Sequence, residues 1–306
     1  MKTIDQLNRD FGTNSEISFR ALPDNIVIAE ISNSLATASV SLYGGHVVSW
    51  QPRTQTKPVL WLSDLARFQP GKAIRGGVPI CWPWFGAHPS QATLPGHGYA
   101  RITHWELNSV QTLANGTTEL NLSLGKSDLR QLHWRAKVHL ELKISVGDTL
   151  EVSLTTVNKS DHEVTITEGL HTYFQISDIG NIRVLGLEGS DYIDLVGQNE
   201  IRKQQDAITF DGELGRIFLD NQATCLIEDR GLNRCIRIEK TGSNGTAVWN
   251  PGLSLASKMD DLGAEGWRSM VCVESTNALG NMIVLGPLKT HTHVAAYAVD
   301  SLVTIK

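Results

Sequence analysis

Val138-His-Leu-Glu-Leu-Lys-Ile-Ser-Val146, then Gly147-Asp-Thr149, then Leu150-Glu-Val-Ser-Leu154, is the run that decides the fold. Val138, Leu140, Leu142, Ile144 and Val146 interleave with His139, Glu141, Lys143 and Ser145, and the same alternation resumes at Leu150, Val152 and Leu154. Strict period two marks strands with one buried and one wet face, and Gly147-Asp148 is hairpin turn chemistry. Outward from this hairpin, similar strands are expected around residues 25–31, 38–42, 46–50, 119–124, 164–167, 181–187, 224–228, 234–239, 269–274 and 293–299. Helical periodicity is weak, and only 253–262 and 63–68 suggest short helices. Many strands with short connections imply an all-β chain, a large antiparallel β-sandwich of two broad, twisted sheets packed face to face.

The chain has 306 residues, 41% hydrophobic and 19% charged, which is ample for a large core. No Pro/Ser-rich linker, charge block or repeat divides it, so residues 1–306 are read as one domain. Net charge is −5, with no Lys/Arg-rich run, which argues against a nucleic-acid partner. The amino terminus lacks the apolar core of a signal peptide and no stretch is long enough to span a membrane; a cytoplasmic protein without a membrane partner, acting as a monomer, is the expectation. Cys81, Cys225, Cys235 and Cys272 show no CxxC spacing and mostly sit among apolar neighbours. Buried free thiols fit best, with a Cys225–Cys235 hairpin bridge as the alternative.

Arg75-Gly-Gly-Val-Pro-Ile-Cys-Trp-Pro-Trp-Phe-Gly86 and Leu94-Pro-Gly-His-Gly-Tyr-Ala-Arg101 crowd two arginines, a histidine and two tryptophans into a run too apolar for an ordinary surface loop. Guanidinium groups in such company need an anion or a carboxylate. Arg75 and Arg101 are therefore anion-binding candidates, with a salt bridge to Asp194 or Glu106 as the structural alternative. Trp82 or Trp84 could stack on a sugar, although adjacent alternating residues rarely face one pocket. His291-Thr-His293 places two imidazoles on one strand face, but no third ligand lies near in sequence, so no metal is expected there.

These two segments resemble the hexose-6-phosphate mutarotases, a branch of the aldose 1-epimerase family. Glu168-Gly-Leu-His171-Thr-Tyr-Phe174 looks like the family's catalytic-histidine motif, and Val271-Cys-Val-Glu274 like the strand that presents its catalytic glutamate. Tyr192-Ile-Asp194, Val248-Trp-Asn-Pro251 and Ser41-Leu-Tyr-Gly-Gly-His-Val-Val-Ser-Trp50 also have counterparts. The resemblance implies a galactose mutarotase-like supersandwich that interconverts the α and β anomers of an aldohexose 6-phosphate, glucose 6-phosphate being the leading candidate. It makes Glu274 the base toward the C1 hydroxyl and His171 the acid toward the ring oxygen, with no cofactor or metal. Arg75, His97, Arg101 and Asp194 become substrate-binding, with Trp249 and Asn250 beside them; Asp191 competes with Asp194. One departure is Gly96, at a position where family members often carry a glutamine, or a small residue, before the His-Gly pair.

The residues themselves support such chemistry. Glu274 alternates with Met270 and Cys272, so it should face apolar side chains, which raises a carboxyl pKa. His171 shares a polar stripe with Thr165, Thr167 and Tyr173. The segments 259–261 and 265–267 read as a rim loop near Glu274. Two competing readings are a mutarotase for unphosphorylated aldoses, which follows if Arg75 is tied up in a structural pair, and a non-catalytic carbohydrate-binding or sensor protein. A pure binder would have no need for both His171 and Glu274.

Overall fold

The deciding hairpin forms where its alternation puts it. In the computed structural model, which describes residues 2–12, 16–124 and 136–302, strands Val138–Val146 and Leu150–Asn158 pair antiparallel with Val146 opposite Leu150. Leu140, Leu142, Ile144, Leu150, Val152 and Leu154 are buried. The hairpin lies inside an eight-stranded antiparallel sheet ordered Ile182–Leu185, Cys225–Asp229, Arg234–Thr241, Thr290–Ser301, Leu150–Asn158, Val138–Val146, Thr118–Leu124 and Glu106–Thr112.

A second eight-stranded sheet carries the site. Its order is Ile201–Lys203, Asp191–Asp194, Leu214–Phe218, Gly245–Asn250, Met270–Asn277, Glu168–Leu170 and Ile80–Cys81, with Tyr173–Gln175 also paired to Met270–Asn277. The two sheets face each other. One apolar core draws Leu140, Leu154 and Tyr297 from the first and Val248, Val271 and Val273 from the second, and the Phe174 and Tyr297 rings meet edge-on at 5.5 Å. This is the expected antiparallel sandwich. A four-stranded sheet from Ile17–Ala21 to His46–Pro52 accompanies it.

The helix expectations fare less well. Only Gly252–Ala256 is helical within 253–262, and residues 63–68 form a turn and irregular chain. Helix Ile4–Phe11 was not anticipated; a Thr3–Gln6 capping box starts it. Leu7 is buried and Ile4 and Phe11 pack beside it, an i, i+3, i+7 stripe that is short but legible in the sequence. Among the described residues no helix is long and apolar enough to cross a membrane. All four cysteines are free and buried. Cys225 pairs across its hairpin with Ile238, and Cys235 with Glu228, so register keeps the two thiols apart.

Strand Met270–Asn277 is buried along its whole length. Val271 and Val273 belong to the inter-sheet core, while Met270, Cys272 and Glu274 take the opposite face, as alternation requires. Behind it lies a buried polar cluster between the sheets. Glu168, with no exposed surface, lies 3.0 Å from His291 Nε2 and 3.2 Å from His293 Nδ1. Asn277 Nδ2 donates to the same carboxylate at 3.1 Å, and the second nitrogen of His293 meets Ser275. The two histidines are thus committed to a carboxylate. Burial pushes Glu168 up, but hydrogen bonds from His291 and His293 and their charge outweigh it and hold the carboxyl at about 2.

Candidate active site

Antiparallel register builds the floor of a cleft on the outer face of the second sheet. Ile217, Ala247 and Glu274 are direct cross-strand neighbours in one row. The adjacent row runs Gly215, Trp249, Cys272 and Tyr173. Directly paired residues share a face, so small Ala247 and Gly215 leave space beside larger Glu274 and Trp249. The cleft holds about 570 Å³ and is lined by Arg75, Phe85, His97, His171, Trp249 and Glu274 among others. That volume suits one monosaccharide-sized ligand.

His171 stands between strands Glu168–Leu170 and Tyr173–Gln175, its backbone N–H donating to Pro79 O at 3.0 Å. Its ring stacks on Tyr173 with centroids 4.9 Å apart and planes 6° from parallel. His171 Nδ1 lies 3.3 Å from Glu274 Oε1. The approach is not aligned as a hydrogen bond, and both His171 Nδ1 and Glu274 Oε2 lack a partner. Buried polar atoms left open in this way are costly unless a ligand satisfies them. Burial raises the Glu274 carboxyl well above its usual range, against the opposing positive charge of Arg101. Burial also drives His171 well below the usual imidazole range, with further lowering from His97, Arg101 and Arg75. Both shifts oppose ionisation, so the contact favours two uncharged groups over a charged ion pair.

Phe85 owes its seat to Gly169, where a Cβ would lie 2.7 Å from the Phe85 ring. His97 takes a left-handed backbone, φ 60°, and closes a loop onto Gly86: its N–H donates to Gly86 O at 2.6 Å and its Nδ1 accepts from Gly86 N at 3.2 Å. Accepting at Nδ1 puts the ring proton on Nε2, making neutral His97 a donor. Burial holds it neutral, with a pKa lowered to about 3, helped by Arg101 and Arg75.

Arg75 projects from a kink that only glycine permits: a Cβ on Gly76 or Gly77 would come within 2.5 Å of Trp61 O or 2.2 Å of Val47 O. Its Nη1 donates to Tyr173 Oη at 2.9 Å, while Nε and Nη2 donate to Asp261 at 3.2 and 3.3 Å. The carboxylate partner is neither Asp194 nor Glu106 but Asp261 of the rim loop.

Several expected site residues go elsewhere. Arg101 does not line the cleft; its Nη2 donates to Gly96 O at 2.8 Å, and it acts on the dyad only through its charge. Asp194 pairs in register with Arg216, which pairs with Val248, on the face opposite to Glu274. Its carboxylate caps the turn at Val196 and Gly197 and lies 3.5 Å from Arg202; Asp191 faces Lys203. Asn250 is fully buried, donating to Trp267 O and Met270 O and accepting from Gly252 N, so it fixes the strand end rather than a hydroxyl. Trp82 and Trp84 are both buried outside the cleft, and the aromatic walls are Phe85 and Trp249. Sequence reasoning missed Phe85, Ala247 and the partnership of Asp261 with Arg75. Gly169 and the alternation back from Trp249 to Ala247 were the available signals.

An antiparallel sandwich that presents a buried imidazole–carboxyl pair to an open, aromatic-walled cleft has the make-up of a sugar mutarotase. The aldose 1-epimerase family model matches residues 28–298. An Escherichia coli K12 protein bearing the name "Putative glucose-6-phosphate 1-epimerase" is 36% identical, covering 86% of this chain and 87% of its own length. A like-named protein of Cenchrus ciliaris is 34% identical over 82% of this chain and 77% of its own. Among solved structures, a "putative mutarotase" of Salmonella typhimurium superposes with TM-score 0.87 at 32% identity, covering 95% and 96% of the two chains. A galactose mutarotase-like protein of Clostridium acetobutylicum shares the fold at TM-score 0.70 and 13% identity, covering 94% and 98%. The chain belongs to the aldose 1-epimerase family and is an isomerase.

Proposed function

We propose that the substrate is glucose 6-phosphate, with His171 and Glu274 as its proton-transfer groups and the cytoplasm as its setting. The observation that carries the assignment of roles is the 3.3 Å approach of His171 and Glu274 with open valences toward the cleft. The anomeric hydroxyl and the ring oxygen are bonded to the same carbon, so groups serving them must stand side by side, as these two do. Glu274 takes the C1 hydroxyl proton while His171 gives one to the ring oxygen; the bond from C1 to the ring oxygen breaks and the aldehyde forms. Rotation about C1–C2 and reversal of both transfers yield the other anomer. The shared proton sits on His171 when the ring is closed and on Glu274 when it is open. Burial places the free cleft in the second arrangement, poised for closure. The four buried free thiols support a reducing compartment.

This protonation scheme predicts a broad bell-shaped pH profile. Turnover falls on the acid side when the pair gains a second proton and on the alkaline side when it loses its last. Because His171 is lowered and Glu274 raised, the limbs move apart, and kcat/KM should stay level from about pH 6 to 8. A decline already centred on about pH 6.5, the ordinary histidine value, would contradict it.

Phosphate binding is assigned to Arg75, a guanidinium in the cleft wall. Its pairing with Asp261 is what the unphosphorylated-aldose reading requires; the names of the relatives favour the phosphate. The two readings separate in magnetisation-exchange NMR of glucose 6-phosphate beside glucose. Arg75→Gln should lower kcat/KM for the phosphate about 10–100-fold, the value of a charged hydrogen bond, and leave glucose nearly unchanged. Equal losses on both sugars would assign Arg75 to the sugar or to the fold.

A further inference from the structure

The isomerisation uses two of three adjacent metal-ligand groups in the cleft floor. The third is Cys272, two residues before Glu274 on the same strand face and flanked in register by Trp249 and Tyr173. Its Sγ, a ring nitrogen of His171 and a carboxylate oxygen of Glu274 all lie within 4.8 Å of one another. All three residues are buried, and His171 Nδ1 and Glu274 Oε2 are unpartnered. His171 and Glu274 line the cleft, whereas Cys272 lies behind them. We propose that His171, Cys272 and Glu274 form a site for one borderline-soft divalent cation, of the zinc or cadmium class, whose occupancy shuts off proton transfer.

Three ligands of the sulfur, nitrogen and oxygen types, with a fourth direction open to the cleft, match the coordination that zinc adopts in open sites. Bonds of about 2.0–2.3 Å require the ligand atoms to draw together by roughly 1 Å. Charge balance favours the site. A thiolate and a carboxylate neutralise the dication, so the buried assembly carries no net charge. Binding releases the thiol proton and the Glu274 proton, and affinity therefore rises with pH. Arg75 and Arg101 oppose the cation, but Asp261 offsets the first. Magnesium and calcium, which seek oxygen ligands, are discriminated against by the sulfur. With the metal bound, the lone pairs that accept protons from substrate are occupied.

Cadmium titrated into the full-length protein, followed by its ultraviolet thiolate charge-transfer absorption, tests the site directly. One equivalent per chain should saturate the wild type, more tightly at higher pH. Cys272→Ser and Cys272→Ala should lose the absorption and weaken binding at least about tenfold, while Cys81→Ala retains both. Zinc should inhibit anomer exchange by the wild type reversibly on EDTA addition, and the Cys272 variants should resist it by the same factor. The inhibition arm rests on the mutarotase reading; the absorption arm does not, so failure of one is distinguishable from failure of the other. Absorption that persists in Cys272→Ala, or a wild type that binds no cadmium stoichiometrically, overturns the proposal.

Discussion

Glu274→Gln should abolish nearly all anomer exchange and at the same time make the protein harder to unfold. A positioned proton-transfer group is worth roughly 10²–10⁴-fold, and glutamine keeps the shape while removing the transferable proton. His171→Gln should lose a similar factor, and the double variant little more, because the two act as one unit. The stability effect follows from burial. Glu274 is 2% exposed and its carboxyl is raised well above the ordinary value near 4.3. The folded carboxyl holds its proton to higher pH than the unfolded chain does, so it increasingly costs stability as pH rises above that ordinary value. Glutamine has no proton to retain. The variant should gain roughly 1 kcal/mol at pH 7, a common size for a stabilising substitution, and the gain should vanish below about pH 4. Parallel NMR exchange rates and denaturant midpoints at pH 7 and pH 4 check both halves. Full activity would remove Glu274 from the chemistry; a loss of stability at pH 7 would show that its carboxyl is well satisfied in the fold.

The second large effect concerns the other buried carboxylate. Glu168→Gln should cost about 3 kcal/mol at pH 6, because Glu168 is fully buried and held at about 2 by His291 and His293. The sign is opposite to that of Glu274. A depressed carboxyl contributes stability above its unfolded value near 4.3, and that contribution is lost as pH falls through about 2. His291 is raised despite burial by its hydrogen bond to Glu168, so its share is present below about 6.5 and fades as pH rises through its folded value. Wild type and variant should thus differ most between about pH 5 and 6 and converge at about pH 2. Urea unfolding across that range measures it. Equal stability at pH 6 would mean that the cluster contributes nothing net. Two buried glutamates, on strands that pair through Gly169 and Thr276, therefore differ in their surroundings: Glu168 Oε1 meets His291, His293 and Asn277, whereas the Glu274 carboxyl has the His171 ring beside it and an oxygen left open.

Much of this could be read along the chain. Period-two alternation is a property of the backbone, set within a few residues, so strand Val138–Val146 appears in the structure with the bounds its pattern implies. The same local rule put Glu274 on the face of Met270 and Cys272. Lateral relations are different. Which strand lies beside which, and in what register, depends on pairings between residues far apart in sequence, and a shift of one residue exchanges the two faces. Asp194 was therefore legible as an acidic strand residue, yet only its pairing with Arg216 and Val248 turns it away from the cleft. Asn250 was placed beside the substrate until the strand end it ties off was in place, and Arg75 had Asp194 or Glu106 as its candidate carboxylates until the rim loop brought Asp261 from 186 positions away. Local pattern was enough for an antiparallel sandwich, and the resemblance carried by the His171 and Glu274 motifs for the two proton-transfer candidates. Tertiary structure alone decided that those groups touch, that Cys272 stands behind them and that Arg75 is already paired, because each of these is a contact between chain segments whose separation no local pattern encodes.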